Sequence, residues 1–393
     1  MNVNEILLGL LGRALFDSKF AFEAEDTPWE ELFRECWAQA VDLLVFDAMT
    51  TEERAAMPRD LFRAWQGMAL QRLMFNEQLY HEQGKILTHL QEAGIPCVVL
   101  KGSSCGMNYL NPSLRCAGDI DLLVGPKGAE LARKVLEQMG YGTEDAPHPY
   151  HLHMRSKTHI VELHYEPAGI PQGKAGEALR ALFDGAEQRA VNRSEIPVLP
   201  TYEQGISLIL HKLEHIVSSG LGLRQLCDWA VFVNRQLRDE DWAKLESGLS
   251  DLGLLHFTKI VTRMCVEGLA LPVESAPWCM EADRALADQL LADILRTGNF
   301  GSKENRYGQR LFTDANSGNR LTSLFRVGLQ ACWSHWPVCK KYPILLPIAP
   351  FILLVRYQRQ RKNGERPPFR PYEMYRSAKE RQALYASLRP FME

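Results

Sequence analysis

The chain has 393 residues, 46% of them apolar and 24% charged, the balance of a globular protein that buries a core without staples. This excludes disorder, collagen and small disulfide scaffolds, and a net charge of −3 excludes a protein basic along its whole length. The sign is uneven, because Lys340–Glu393 holds 12 Lys+Arg against 4 Asp+Glu, so an anionic partner is expected to meet that end.

At about 150 residues per domain the length suits two or three domains. The sequence pattern divides the chain into an N-terminal helical region (1–94), an α/β core (95–200), a C-terminal helical domain (201–340) and an apolar segment with a basic arm (341–393). Met1-Asn-Val-Asn-Glu lacks the basic start of a secretory signal, and Leu7–Leu15 reads as part of an amphipathic helix. Phe33, Trp37, Val41, Leu44 and Val45 recur at helical spacing, as do Leu61, Trp65, Met68, Ala69 and Leu73. The last long helix of this region runs to the breaker Gly94-Ile-Pro96.

There the period changes. Cys97–Leu100 is a short apolar run bounded by Pro and Gly, which suits a buried strand. Lys101-Gly-Ser-Ser leads from it into a short helix through Tyr109. Ile120–Val124 reads as a second strand, Pro126–Gly140 as a helix with Pro126 in its first turn, and Thr158–Tyr165 as a third strand. From Thr201 the helical period returns to about residue 296, with Leu208, His211, His215 and Ile216 facing inward. The fold class expected is α+β, a small mixed sheet flanked by helical regions.

Nine cysteines (Cys36, Cys97, Cys105, Cys116, Cys227, Cys265, Cys279, Cys332 and Cys339) are scattered and form no C-x-x-C pair. They signal neither a zinc site nor a disulfide framework, and read as free thiols of a reducing cytosol. The longest apolar run, Tyr342–Val355, has 14 residues broken by three prolines, against the roughly 20 that span a bilayer. With Arg356, Arg359, Arg361 and Lys362 behind it, it could touch an anionic membrane surface or RNA phosphates; the plainer reading is a docked segment with a solvated tail. Arg361–Tyr372 reads as an exposed arm. The location expected is cytoplasmic, at most peripheral to the inner membrane face.

Asp119-Ile-Asp121 stands at the start of a strand, where alternation puts both carboxylates on one face, about 7 Å apart. Such a pair repels unless a cation joins it, and a hard ion such as Mg²⁺ takes one or two carboxylates plus phosphate oxygens. Alone, the motif is also what a solvated strand face looks like. Upstream, Gly102 and Ser103 form a strand-to-helix turn of the kind that accepts a phosphate. Downstream, Ile160-Val-Glu162-Leu-His164 sets a third carboxylate among apolar neighbours, where a charge needs compensation. His164 shares the face of Glu162 and is expected near the site.

These residues together, Val98-Val-Leu-Lys-Gly-Ser-Ser, Tyr109, Arg115, Gly118-Asp-Ile-Asp-Leu-Leu-Val124 and Val161-Glu-Leu-His164, resemble the uncharacterised bacterial nucleotidyltransferases of the polymerase-β-like superfamily. Further matches are His211, His215, Gly222-Leu-Arg, Asp228 and Gly298-Asn-Phe-Gly301. The resemblance implies Mg²⁺-dependent transfer of a nucleoside monophosphate from an NTP, with ATP among the donors, to an acceptor hydroxyl, with release of pyrophosphate. The acceptor, a small molecule, glycan precursor, RNA or protein, is left open, as is oligomeric state. It implies that Asp119, Asp121 and Glu162 are the metal ligands, two ions in all, with Glu162 alternatively taking the proton of the attacking hydroxyl. Gly102 and Ser103 would cradle the triphosphate, and Lys101, Arg115 and His164 would assist there. The alternative is a non-catalytic nucleotide-binding or scaffold protein that retains the fold.

Other signals weigh less. His211-Lys-Leu-Glu-His215 fits the H-x-x-E-H pattern of a zinc peptidase class, but no third ligand is evident. Among His148, His151, His153, His159 and His164, the alternating His151 and His153 are expected to face the surface. Trp229 and Trp242 are expected in the core.

Overall fold

The structure, a computed structural model, describes residues 1–143, 150–217, 220–303, 355, 359, 379 and 381–392. His148, Cys332, Cys339, nearly all of Tyr342–Val355, and the Arg361–Tyr372 arm lie outside the described residues, so the membrane and RNA readings of that arm rest on sequence.

The N-terminal region is helical: α1 (Val3–Phe16), α2 (Trp29–Ala38), α3 (Asp42–Ala48), α4 (Thr51–Ala55) and α5 (Arg59–Glu92). Asn2 and Glu5 close a reciprocal cap on α1, which buries Ile6, Leu7, Leu10 and Leu11 at helical spacing. The stripe from Phe33 to Val45 is not one helix. The chain leaves α2 after Ala38 and turns left-handed at Ala40 (φ 55°). That break leaves Trp37 47% exposed beneath the Arg72 guanidinium, 4.6 Å from the ring centre. In α5 the inward stripe does run unbroken, through Trp65, Ala69, Asn76, Leu79, Gln83, Ile86 and Leu90.

Next come β1 (Val98–Val99), α6 (Ser103–Gly106), β2 (Ile120–Leu123), α7 (Gly125–Gln138), β3 (Gly142–Thr143), β4 (His151–Arg155), β5 (Ile160–His164), α8 (Lys174–Phe183) and a hairpin of β6 (Val191–Arg193) and β7 (Ile196–Val198). The expected helix through Tyr109 stops at Gly106, leaving a single turn. Five strands pair in the order β1-β2-β5-β4-β3; β2 and β5 are parallel and the other pairings antiparallel. The helix α7 makes the crossover between the parallel strands, as that pairing requires. One sheet face, with Val99, Ile120, Leu122, Met154, Val161 and Leu163, packs with Leu79, Ile86 and Leu90 of α5 and Ala129, Ala132 and Leu136 of α7.

The rest is helical: α9 (Thr201–Val217), α10 (Leu223–Gln236), α11 (Asp239–Asp251), α12 (Leu255–Leu269) and α13 (Arg284–Thr297). A second core joins α1, α3, α9, α10, α12 and α13 with Val98, Leu100 and Leu123 from the sheet's other side. Trp229 lies wholly inside it, and Trp242 stacks on Trp278 at 3.5 Å. Leu384 and Leu388 are also buried there, and Arg381 reaches Asp293 at 3.1 Å. The fold is thus α+β, a five-stranded mixed sheet between helical layers.

Candidate active site

Strand alternation decides which face carries chemistry. Ile120 and Leu122 point into the α5–α7 core, so Asp121, between them, points the other way, toward α9 and α10. Parallel pairing sets Asp121 opposite Glu162 and Leu123 opposite His164. Antiparallel pairing sets His153 opposite Glu162 and His151 opposite His164. Partners across a ladder share a face, which is how Asp121 and Glu162, 41 residues apart in sequence, converge. Asp119 stands one residue before β2, half-buried, rather than within the strand. Oxygens of Asp119, Asp121 and Glu162 all lie within 4.8 Å of one another.

The charges here are tightly tied. Lys101 Nζ lies 2.8 Å from Asp121 Oδ1, and His164 Nε2 lies 2.9 Å from the same oxygen and 3.3 Å from Glu162 Oε2. Burial would push the Asp121 carboxyl up, but the Lys101 ammonium and His164 hold it well below the usual range. Asp119 is pushed up to about 6, first by the neighbouring Asp121 charge and then by burial. Burial opposes the charges on Lys101 and His164, yet the surrounding carboxylates raise both. Five carboxylates (Asp119, Asp121, Glu162, Glu214 and Asp228) against three cations (Lys101, Arg115 and Arg224) leave an excess of negative charge in a cleft of about 270 Å³. A trio of carboxylates is the donor set of a hard divalent ion, and fits Mg²⁺.

Two of the residues expected at phosphate are engaged elsewhere. The Arg115 guanidinium makes a two-pronged pair with Asp228 (Nε to Oδ1 and Nη2 to Oδ2, both 2.7 Å), and Tyr109 donates to Asp228 Oδ1 at 2.8 Å. All three are buried. Arg115 therefore clamps the loop before Asp119 to α10, and removing either partner would strand a buried charge. The Ser103 hydroxyl exchanges hydrogen bonds with the Gln83 amide at 2.7 and 2.9 Å, so it offers no donor to the cleft. Gly102 does line the cleft, at φ +63°, where an added Cβ would meet nothing nearer than Asp119 O at 3.8 Å. It is the backbone angle, not crowding, that requires glycine there.

The opposite wall comes from the helical domain. His211 and His215 Nε2 atoms lie 2.8 Å apart, so one ring donates and the other accepts, which makes a neutral pair. Burial pushes both pKa values down, that of His215 to about 3, with Lys101 and Arg224 adding to it. Phe300, half exposed and left-handed (φ 52°), packs edge-on against His215 at 4.9 Å, beneath Arg224. Among the described residues, the groups of three metal-type donors are Asp119–Asp121–Glu162 and His151–Glu162–His164. His211 and His215 belong to neither, so the zinc-peptidase pattern lacks its third ligand.

Local sequence reading missed several participants. Asn76 donates to the carbonyls of Ser113 (2.7 Å) and Arg115 (3.0 Å) and accepts from Ala117 N–H, pinning the loop into Asp119. Asn76 and Gln83 interrupt an otherwise apolar inward stripe, and that interruption was the available signal. His151 is not surface-facing: it is half-buried, with Nδ1 3.4 Å from Glu162 Oε2.

A parallel strand pair presenting facing acids, a third acid just ahead, a glycine turn beside them and helices on either side are consistent with a nucleotidyltransferase domain. The chain belongs to a family described as uncharacterised nucleotidyltransferase, which it matches over residues 25–270. No curated protein and no solved structure matches it. No helix among the described residues is long and apolar enough to cross a membrane.

Proposed function

We propose that this protein moves a nucleoside monophosphate from an NTP to an acceptor hydroxyl. The acceptor oxygen bonds to the α-phosphorus, the bond from that phosphorus to the bridging oxygen breaks, and pyrophosphate leaves. The observation that carries the reading is the convergence of Asp119, Asp121 and Glu162 within 4.8 Å beside Gly102. Those three carboxylates would hold Mg²⁺, which when bound neutralises charge on the attacking and leaving oxygens. Lys101 and His164 fix the Asp121 carboxylate from two sides, so its oxygens are oriented before any ligand arrives. Gly102 lets the backbone approach the phosphates closely. Glu162, less enclosed than Asp121, would either ligate an ion or take the proton of the attacking hydroxyl.

The test is incubation of the full chain with each α-labelled NTP, Mg²⁺ and a cell extract. Label is expected to move onto an acceptor, and a folded Asp121→Asn protein should lose at least about 100-fold of that rate, since charge stabilisation by bound metal is worth several kcal/mol. Nucleotide binding with no label transferred across all four NTPs would instead identify a non-catalytic binding protein.

A further inference from the structure

We propose that His151, Glu162 and His164 form a second cation site, built for a zinc-type transition ion rather than Mg²⁺ and sharing Glu162 with the carboxylate trio. The three donor atoms lie within 4.8 Å of one another. Glu162 Oε2 stands 3.4 Å from His151 Nδ1 and 3.3 Å from His164 Nε2. Those separations are long for N–H···O hydrogen bonds, which centre near about 2.9 Å. They equal the edge of a tetrahedron, about 3.3 Å, drawn around an ion with ligand bonds of about 2.0–2.1 Å.

The framework is rigid. All three residues project from one face of adjacent strands, His151 directly opposite His164 and Glu162 two residues before it. The two imidazoles meet edge-on, centroids 4.9 Å apart at 63°, so both direct nitrogens toward the same carboxylate instead of stacking. The Nδ1 of His164 faces no protein partner, which leaves Nε2, between Asp121 and Glu162, as the nitrogen that carries the chemistry. The proton that His164 Nε2 shares with Asp121 Oδ1 across 2.9 Å would leave on cation binding, and water would take the fourth position. Imidazole nitrogens suit Zn²⁺ and Co²⁺, whereas Mg²⁺ wants oxygen alone. Neighbouring sites would thus differ in chemistry, one of oxygens only and one containing nitrogen.

The experiment uses the full chain, stripped with a chelator and titrated with Co²⁺ in excess Mg²⁺. One equivalent should produce the visible absorption of four-coordinate cobalt, and proton NMR should show two hyperfine-shifted imidazole N–H signals. A His151→Gln protein should lose the band and at least about tenfold in Co²⁺ affinity, while Asp119→Asn keeps the band. A cobalt form with no shifted imidazole signal in the unaltered protein, or binding that Mg²⁺ abolishes, would overturn the assignment. Neither readout needs a nucleotide, so failure of nucleotidyl transfer leaves this result interpretable on its own.

Discussion

At Asp121 three groups meet: Lys101 and His164 at one oxygen, and Glu162 beside it across the strand pair. Opposite them sit two histidines in the contrary state, half-buried His211 and buried His215, both neutral. The unfolded chain takes up protons on these rings below about pH 6.5, while the folded protein does not. Because their folded pKa values are depressed, acid favours the unfolded state, and the loss develops from about pH 6.5 down toward 3. Between pH 7.5 and 5.5 the His215 ring is expected to cost about 1.4 kcal/mol of stability, and His211 adds to it in the same direction. Urea unfolding at both pH values should show a loss smaller by at least about 1.4 kcal/mol in the double variant His211→Gln, His215→Gln; equal losses would refute the neutral pair. At this scale the acids were legible, because Asp121 and Glu162 are odd residues in apolar strands and Asp119 stands just ahead of one. The role of Arg115 was not, since its partner Asp228 lies 113 positions away and no local pattern encodes such a pair. His151 was misjudged for a related reason: alternation gives two faces but does not say which one is covered.

Among elements, α5 and α10 hold the site in register. The inward stripe of α5 spans Trp65 to Leu90, and its two polar members, Asn76 and Gln83, grip the loop before β2 and the turn after β1. The start of α10 meets the Gly298–Gly301 turn. A Cβ on Gly222 would stand 2.7 Å from Asn299 Cα and Oδ1, closer than packed atoms come. Gly222→Ala is therefore expected to displace the turn that carries Phe300 and to cost about 1–3 kcal/mol, the usual penalty of overpacking. Differential scanning calorimetry gives the magnitude, and an unchanged melting temperature would show that the contact yields freely. Both segments stand out in the sequence as glycine motifs, but their meeting depends on Gln39, which accepts from Leu223 N–H at the start of α10 and donates to the Ile294 carbonyl of α13. The helix break at Ala40 was likewise hidden, because Phe33, Trp37 and Val41 keep a helical spacing across it. The period reports which residues are apolar, not where a left-handed residue ends the run.

For the molecule as a whole, the sheet has no stability of its own to spare. One face is covered by α5 and α7, and Val98, Leu100 and Leu123 on the other side belong to a core shared with α1, α3 and α9–α13. A fragment of residues 95–200 keeps α7 but loses α5 and the helices on the other side. It is expected to show no cooperative thermal transition by circular dichroism, whereas the full chain melts in a single sharp step; a cooperative fragment would establish an autonomous domain. The class of fold was readable, since strand–helix–strand spacing between helical stretches admits few arrangements. What could not be read is how much of the helical mass the sheet requires, because burial is shared between segments far apart in the chain.

The facing positions of Asp121 and Glu162 on parallel strands have one more consequence. Sliding β2 against β5 by a single residue would drive a carboxylate into the α5–α7 core and push a leucine out into the cleft. Such a slipped chain would be swollen and sticky, an early target for chaperones and proteases. Quality control by greasiness alone therefore inspects the reactive groups as well: a copy that survives to be soluble has already lined up its acids.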